Sequence, residues 1–270
     1  MSFELLVLDL DGVVLDHAMR IDPALETGLR RAMARGLRVT LATGRMPQAT
    51  RPYWERFEIS TPVILYNGAL VRDPRNGGVL YARWLPPGLL GDLYPVFAGA
   101  PVDPLFYRGD TIYCLEKTRP ILTYCEEEAL EAVEIADRET FLREGFFVKA
   151  LLIGDPAELP RLRERLSPAL GTARLVLSRP DYLELLPAGA SKGAALRVLA
   201  QHLGIPLGRV IAAGDQENDI EMIQAAGVGI AMSHSPPHVR AAASRVAPPP
   251  ASGGLAAVLA ELCPEHFRPE

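Results

Sequence analysis

Asp9 and Asp11 stand two residues apart, in Asp9-Leu10-Asp11-Gly12, where a short apolar run ends. In extended backbone such residues share a face, so the two carboxylates point the same way. At about 4 Å and an effective dielectric of about 20 they repel by about 4 kcal/mol. A cation or a proton has to stand between them, unless they are solvated loop acids or Asp11 caps a helix. The spacing is not that of an EF-hand, because Gly12 is at the fourth loop position and the turn glycine of an EF-hand is at the sixth. Far along the chain, Gly214-Asp215-Gln216-Glu217-Asn218-Asp219 gathers more acids and two amides. Asp215 would complete with Asp9 and Asp11 an oxygen-rich set suited to Mg2+, a hard ion that takes few carboxylates and keeps several waters. Asp219 either holds the metal's water shell or orients a lysine. Glu217 reads as an acid complementing a helix N-terminus.

Thr43-Gly44-Arg45 offers a hydroxyl and turn N–H groups, an anion cradle or a simple cap. Lys192, in Ser191-Lys192-Gly193, opens a helix where a cation opposes the macrodipole. Something negative should favour it there, and a phosphate would. Of 28 basic residues only Lys117, Lys149 and Lys192 are lysines, which makes each worth separate thought.

These side chains need a frame, and the pattern supplies one. Phe3 to Leu8, Leu37 to Ala42 and Pro62 to Tyr66 read as buried strands, alternating with helices from Pro23 to about Arg35 and from Pro47 to Phe57. Repeated β-α-β implies a parallel sheet with right-handed crossovers. After Asn67 the texture changes. Short strands flank Asn76-Gly77-Gly78, a hairpin signal. Helices around Gly88–Phe97 and Pro156–Leu166 then mix with strands at Leu105–Tyr107, Thr111–Leu115, Phe146–Ile153 and Leu183–Leu186. The first texture returns with helix Lys192–Leu203, strand Val210–Ala213, helix Glu217–Ala225 and strand Val228–Ala231. The expected fold is α/β: a Rossmann-like parallel core over residues 1–82 and 187–270, interrupted by an α+β insert over 83–186. Open parallel sheets bind ligands beyond the carboxyl ends of their strands. Asp9, Asp11, Thr43, Gly44, Arg45, Asn67, Asp215, Asn218 and Asp219 all fall at such ends.

Composition narrows the field. The 270 residues are 49% hydrophobic and 23% charged with a net charge of −5, the balance of an ordered globular chain. No basic tract suggests nucleic acid as a partner, and no run approaches the about eighteen apolar residues of a membrane span. The first residues lack a basic leader, and Cys114, Cys125 and Cys263 form neither a metal-type pair nor a closed disulfide set. Cytoplasm is the default expectation. No P-loop or Gly-x-Gly-x-x-Gly pattern occurs, and His234 and His238 are separated by Pro236-Pro237 with no third ligand in view.

With these residues in place, the chain resembles the haloacid dehalogenase-like superfamily, in particular the Cof-type phosphatases with a large α/β cap. Asp9-Leu10-Asp11-Gly12, Ala42-Thr43-Gly44-Arg45, Ser191-Lys192-Gly193 and Gly214-Asp215 through Asn218-Asp219 match the four signatures in order. The resemblance implies a Mg2+-dependent phosphatase of small phosphorylated metabolites. Asp9 would be the nucleophile that forms an aspartyl-phosphate, and Asp11 the acid and base. Magnesium would sit on Asp9, the Asp11 carbonyl and Asp215, with Asp219 acting through water. Phosphoryl oxygens would meet the Leu10 backbone, Thr43, Gly44, Lys192 and Asn218, with Arg45 and Asn67 at the same edge. Val13 stands where many relatives have threonine and His234 where they often have asparagine. A phosphomutase or phosphotransferase on this fold, or a non-catalytic phosphate-ligand binder, is the alternative.

Overall fold

The computed structural model describes residues 2–268. Leu5–Leu8 (β1) is buried along its whole length, as a strand covered on both faces must be. Asp22 accepts a hydrogen bond from the Ala24 N–H and Pro23 takes the first helical position, which starts α1 (Pro23–Ala34). β2 (Arg38–Leu41) pairs parallel to β1 with Leu41 opposite Leu8, and α2 (Pro47–Arg56) follows.

The third strand runs parallel beside the core sheet, as expected, but does not form a full ladder with it. β3 (Val63–Leu65) meets the end of β2 through a parallel bridge between Ala42 and Ile64, with the Thr43 N–H donating to the Ile64 carbonyl at 3.0 Å. It heads a separate three-stranded sheet, β3-β4-β5, with β4 (Leu70–Arg72) and β5 (Val79–Ala82). The turn at Tyr66, Asn67 and Gly68, with successive positive φ angles, folds the chain back so that β4 pairs antiparallel to β3.

The middle of the chain builds α3 (Leu89–Phe97), β6 (Val102–Arg108), β7 (Thr111–Cys114), α4 (Arg119–Glu127), β8 (Ala132–Glu134), α5 (Arg138–Glu144), β9 (Lys149–Gly154), α6 (Leu159–Leu166), β10 (Arg174–Arg179) and β11 (Tyr182–Leu186). Its strands form one mixed sheet in the order β10-β11-β9-β6-β7-β8. Leu93, Phe106, Leu142, Leu152, Leu162 and Leu185 belong to its apolar core. The sequence pattern does not disclose α4, α5, β8 or β10. These are short, charge-rich segments that take their order from tertiary packing more than from local propensity. By contact, Met46–Ala49 and Ala82–Ala190 form one compact unit and the remaining described residues another.

The chain then adds α7 (Lys192–Leu203), β12 (Val210–Gly214), α8 (Ile220–Ala225), β13 (Val228–Met232), α9 (Pro237–Ala242), β14 (Arg245–Ala247), α10 (Gly254–Leu262) and α11 (Pro264–Phe267). The result is an all-parallel sheet, β14-β13-β12-β1-β2. Cys114, Cys125 and Cys263 are free and buried. Among the described residues, no helix is long and apolar enough to cross a membrane.

Candidate active site

The sheet order places β1 where the crossovers change direction: β2 lies on one side, and β12, β13 and β14 on the other. Such a switch point opens a crevice beyond the strand ends. Asp9 lies one residue past β1, and its N–H donates to the Ala213 carbonyl at 2.9 Å, which locks it to β12. Asp215 lies one residue past β12. Lys192 comes from the first turn of α7, where Ser191 Oγ accepts from the Ala194 N–H and donates to Glu221 of α8.

Lys192 Nζ donates to Asp9 Oδ1 at 2.7 Å and to Asp219 Oδ1 at 2.6 Å, and the lysine side chain is 1% exposed. Two carboxylates therefore supply the negative charge its unfavourable helix position demands. The other oxygen of Asp219, Oδ2, accepts the backbone N–H groups of Asp215 (2.9 Å) and Gln216 (3.0 Å). Asp219 thus anchors both the loop and the lysine. Asp9, Asp215 and Asp219 offer ligand atoms within 4.8 Å of one another, and they are the one such cluster among the described residues.

Three buried carboxylates face one ammonium. Burial pushes the Asp9 carboxyl well above the usual carboxylate range, and the Asp219 charge adds to that push against the pull of Lys192. Burial also raises Asp219, with Lys192 opposing. Burial alone would lower Lys192, but Asp219 and Asp9 outweigh it and hold the ammonium above the ordinary lysine range. The lysine keeps its charge. The negative excess stays with the carboxylates, which favours a further cation or a proton.

Asp215 shows where that cation fits. Its Oδ2 accepts from Gln216 Nε2 at 3.0 Å and lies 3.2 Å from His234 Nε2, whereas Oδ1 is buried with no hydrogen-bond partner. An unpaired buried acceptor costs about 1–3 kcal/mol, more when charged. An all-oxygen donor set with an orphaned carboxylate oxygen suits a hard divalent ion such as Mg2+. Gly12, at φ +78°, keeps the space clear: a Cβ there would collide with the Asp215 carboxylate.

Asp11 lies outside this cluster. Its carboxylate is half exposed and takes the Arg45 guanidinium on both oxygens, Nε to Oδ2 at 2.9 Å and Nη2 to Oδ1 at 2.6 Å. Arg45, expected at the phosphate, thus faces a carboxylate in this structure. The backbone N–H groups of Leu10 and Asp11 have no acceptor among the described residues. They can donate to an anionic ligand.

The remaining expected residues adjoin one another. Thr43 is buried, and its hydroxyl accepts the Arg45 N–H at 3.1 Å, closing a turn ahead of α2. A Cβ on Gly44 would press on the Asn67 amide. Asn67 has φ 54° and ψ 33°, a left-handed conformation that a non-glycine residue adopts at a cost of about 1–3 kcal/mol. The Asn67 N–H donates to the Thr43 carbonyl at 3.0 Å, which holds this strained turn. Its Oδ1 accepts from Asn218 Nδ2 at 2.8 Å, while Asn218 Oδ1 is buried without a partner.

Sequence reasoning missed three contacts: Arg45 on Asp11, and the side chains of Gln216 and His234 on Asp215. Adjacency to Asp215 was the available signal for Gln216. Nothing in the spacing pointed to His234, since its approach depends on the loop after β13.

A family model described as haloacid dehalogenase-like hydrolase matches residues 6–259. An HMP-PP phosphatase of Enterobacter sp. is 32% identical over 245 residues, covering 90% of this chain and 88% of the relative. A 5-amino-6-(5-phospho-D-ribitylamino)uracil phosphatase of Bacillus subtilis is 26% identical, covering 95% and 96%. Among solved structures, a haloacid dehalogenase-like hydrolase from Bacteroides thetaiotaomicron superposes with a TM-score of 0.87 at 27% identity, covering 97% of this chain and 100% of that one.

Proposed function

The chain belongs to the haloacid dehalogenase-like hydrolase family, and on that premise we propose that it is a Mg2+-dependent phosphatase. It hydrolyses small phosphorylated metabolites, the class to which its relatives' named substrates belong. The observation that carries the reading is Asp9 held by Lys192 beside Asp215, whose Oδ1 is buried and unpartnered.

A carboxylate attacking a phosphate dianion is like charge approaching like charge. Lys192 offsets part of that repulsion and fixes the Asp9 carboxylate through Oδ1. Asp9 Oδ2, which makes no hydrogen bond among the described residues, is free to attack phosphorus in line and displace the alkoxide. The free N–H groups of Leu10 and Asp11 suit the phosphoryl oxygens. Asp9 and Asp215 would hold Mg2+, which when bound supplies the charge neutralisation that one ammonium cannot. Asp11 protonates the leaving oxygen and then takes a proton from the water that opens the aspartyl-phosphate. Both its oxygens accept from Arg45, so carrying a proton requires one of those hydrogen bonds to open.

The test is release of inorganic phosphate from an aryl phosphate with and without MgCl2. Wild type should turn over only with the metal, and Asp9→Asn should abolish turnover. Full activity in that variant would overturn the reading, and phosphate retained on an organic acceptor would mark transfer in place of hydrolysis.

A further inference from the structure

The imidazole of His234 lies 3.2 Å from Asp215 Oδ2 and comes from the loop after β13, outside every motif that recommended the site. The same oxygen takes Gln216 Nε2 at 3.0 Å. Two side chains from separate segments therefore converge on one oxygen of one carboxylate, and the other oxygen is left buried and bare. A carboxylate oxygen can only accept, so Nε2 of His234 must carry the hydrogen in this contact. The His17 ring packs edge-on against His234 with centroids 6.0 Å apart, which limits how the imidazole can turn. Gly12 presents no Cβ that could brace the carboxylate in their place. Without a fixed Oδ2, the Asp215 carboxylate could turn about its Cβ–Cγ bond and swing the bare oxygen away from the cation's position.

The geometry points to His234 as a positioning residue for metal binding: by donating to Asp215 Oδ2 it presents Oδ1 to the cation. Carboxylate ligands are themselves held by outer hydrogen bonds, and losing such a bond typically weakens metal affinity about 10–100-fold. The inference rests on the proposed use of a divalent cation at Asp215. It adds that this chain's histidine sets how well that cation is held.

Mn2+ is a suitable probe, being a hard divalent ion whose free fraction is read directly by its paramagnetic resonance signal. Full-length wild type, His234→Phe and His234→Gln are titrated with Mn2+ in the absence of any phosphate ester. Phenylalanine keeps a ring of similar size and removes the N–H, while glutamine removes the ring and keeps a donor. His234→Phe should bind Mn2+ about 10–100-fold more weakly, and His234→Gln should recover most of the affinity. In turnover, His234→Phe should regain kcat at saturating Mg2+, because occupancy and not chemistry was lost. Equal Mn2+ affinity in wild type and His234→Phe overturns the inference, as does a glutamine variant that is as weak as the phenylalanine one. A wild type that binds no Mn2+ overturns this inference together with the proposed cofactor. Circular dichroism and the thermal midpoint of each variant separate loss of the contact from loss of the fold.

Discussion

Lys192 of the parallel-sheet unit and Lys149 of the inserted unit are both almost wholly buried, in a chain with three lysines. Lys149 on β9 lies 3.2 Å from Glu184 of β11, with Ser178 Oγ donating to the same carboxylate at 2.9 Å and the Tyr107 ring face 4.6 Å from the ammonium. This ammonium meets a carboxylate that neighbouring hydrogen bonds close off. Lys192 meets Asp9 and Asp219 with Asp215 beside them, so one ammonium faces three carboxylates. Burial of a lysine is therefore no mark of a site. The unmatched carboxylates are, together with the orphaned oxygen on Asp215.

The largest expected effect follows from removing the buried Lys192 ammonium from the core cluster. Lys192→Met should abolish phosphate release and destabilise the metal-free protein by about 3–5 kcal/mol, the usual penalty for leaving buried charge uncompensated. Urea unfolding and a phosphate assay measure the two. Lys149→Met should destabilise by a similar amount for the same reason, yet Lys149→Met with Glu184→Met should restore stability or exceed wild type, because replacing a whole buried pair by apolar groups is neutral or stabilising by about 1–4 kcal/mol. A double substitution that stays as unstable as the single one would break the contrast.

Next in size is Gly12→Ala. Its positive φ costs a residue with a Cβ about 1–3 kcal/mol, and the methyl group would push on the Asp215 carboxylate. We expect weaker Mn2+ binding along with a lower urea midpoint; unchanged metal affinity would separate Gly12 from the site.

The smallest effect is a slope. Folded Asp9 and Asp219 bind protons more tightly than the unfolded chain does, since burial raises both. As pH rises from the ordinary carboxylate range through those raised values, the native state holds the extra protons, so stability falls. Below that window the two groups contribute no slope. Urea midpoints across pH in a chelator should show the fall, and Mg2+ should flatten it. A metal-free protein that gains stability over the same window through these groups would contradict the charge count.

Much of this was legible because the strongest signals were local. The helix expected at Lys192–Leu203 forms with those bounds, between a Ser191 cap and Gly204 in the left-handed region. β1 and β12 read directly as apolar runs, and that places Asp9 and Asp215 at strand ends. What escaped depends on contacts distant in sequence. β3 has the composition of a core strand, and only the folded chain shows that it meets the core sheet at a parallel bridge to Ala42 and takes β4 as its ladder partner. Arg45 carries a charge that could serve a phosphate, and only the folded chain shows its guanidinium on Asp11. The His234 contact with Asp215 is likewise set by tertiary placement and has no periodic signature.

The central claim is that the Asp9 carboxylate attacks phosphorus. Wild type and Asp11→Asn, mixed with a phosphate ester and Mg2+ and quenched in acid, can be digested and the peptide containing Asp9 weighed. The account predicts a phosphoryl group on Asp9, accumulating further in Asp11→Asn, where no base is available to open it. Turnover in the wild type with no phosphoryl group on that peptide at any quench time, in either protein, would contradict it.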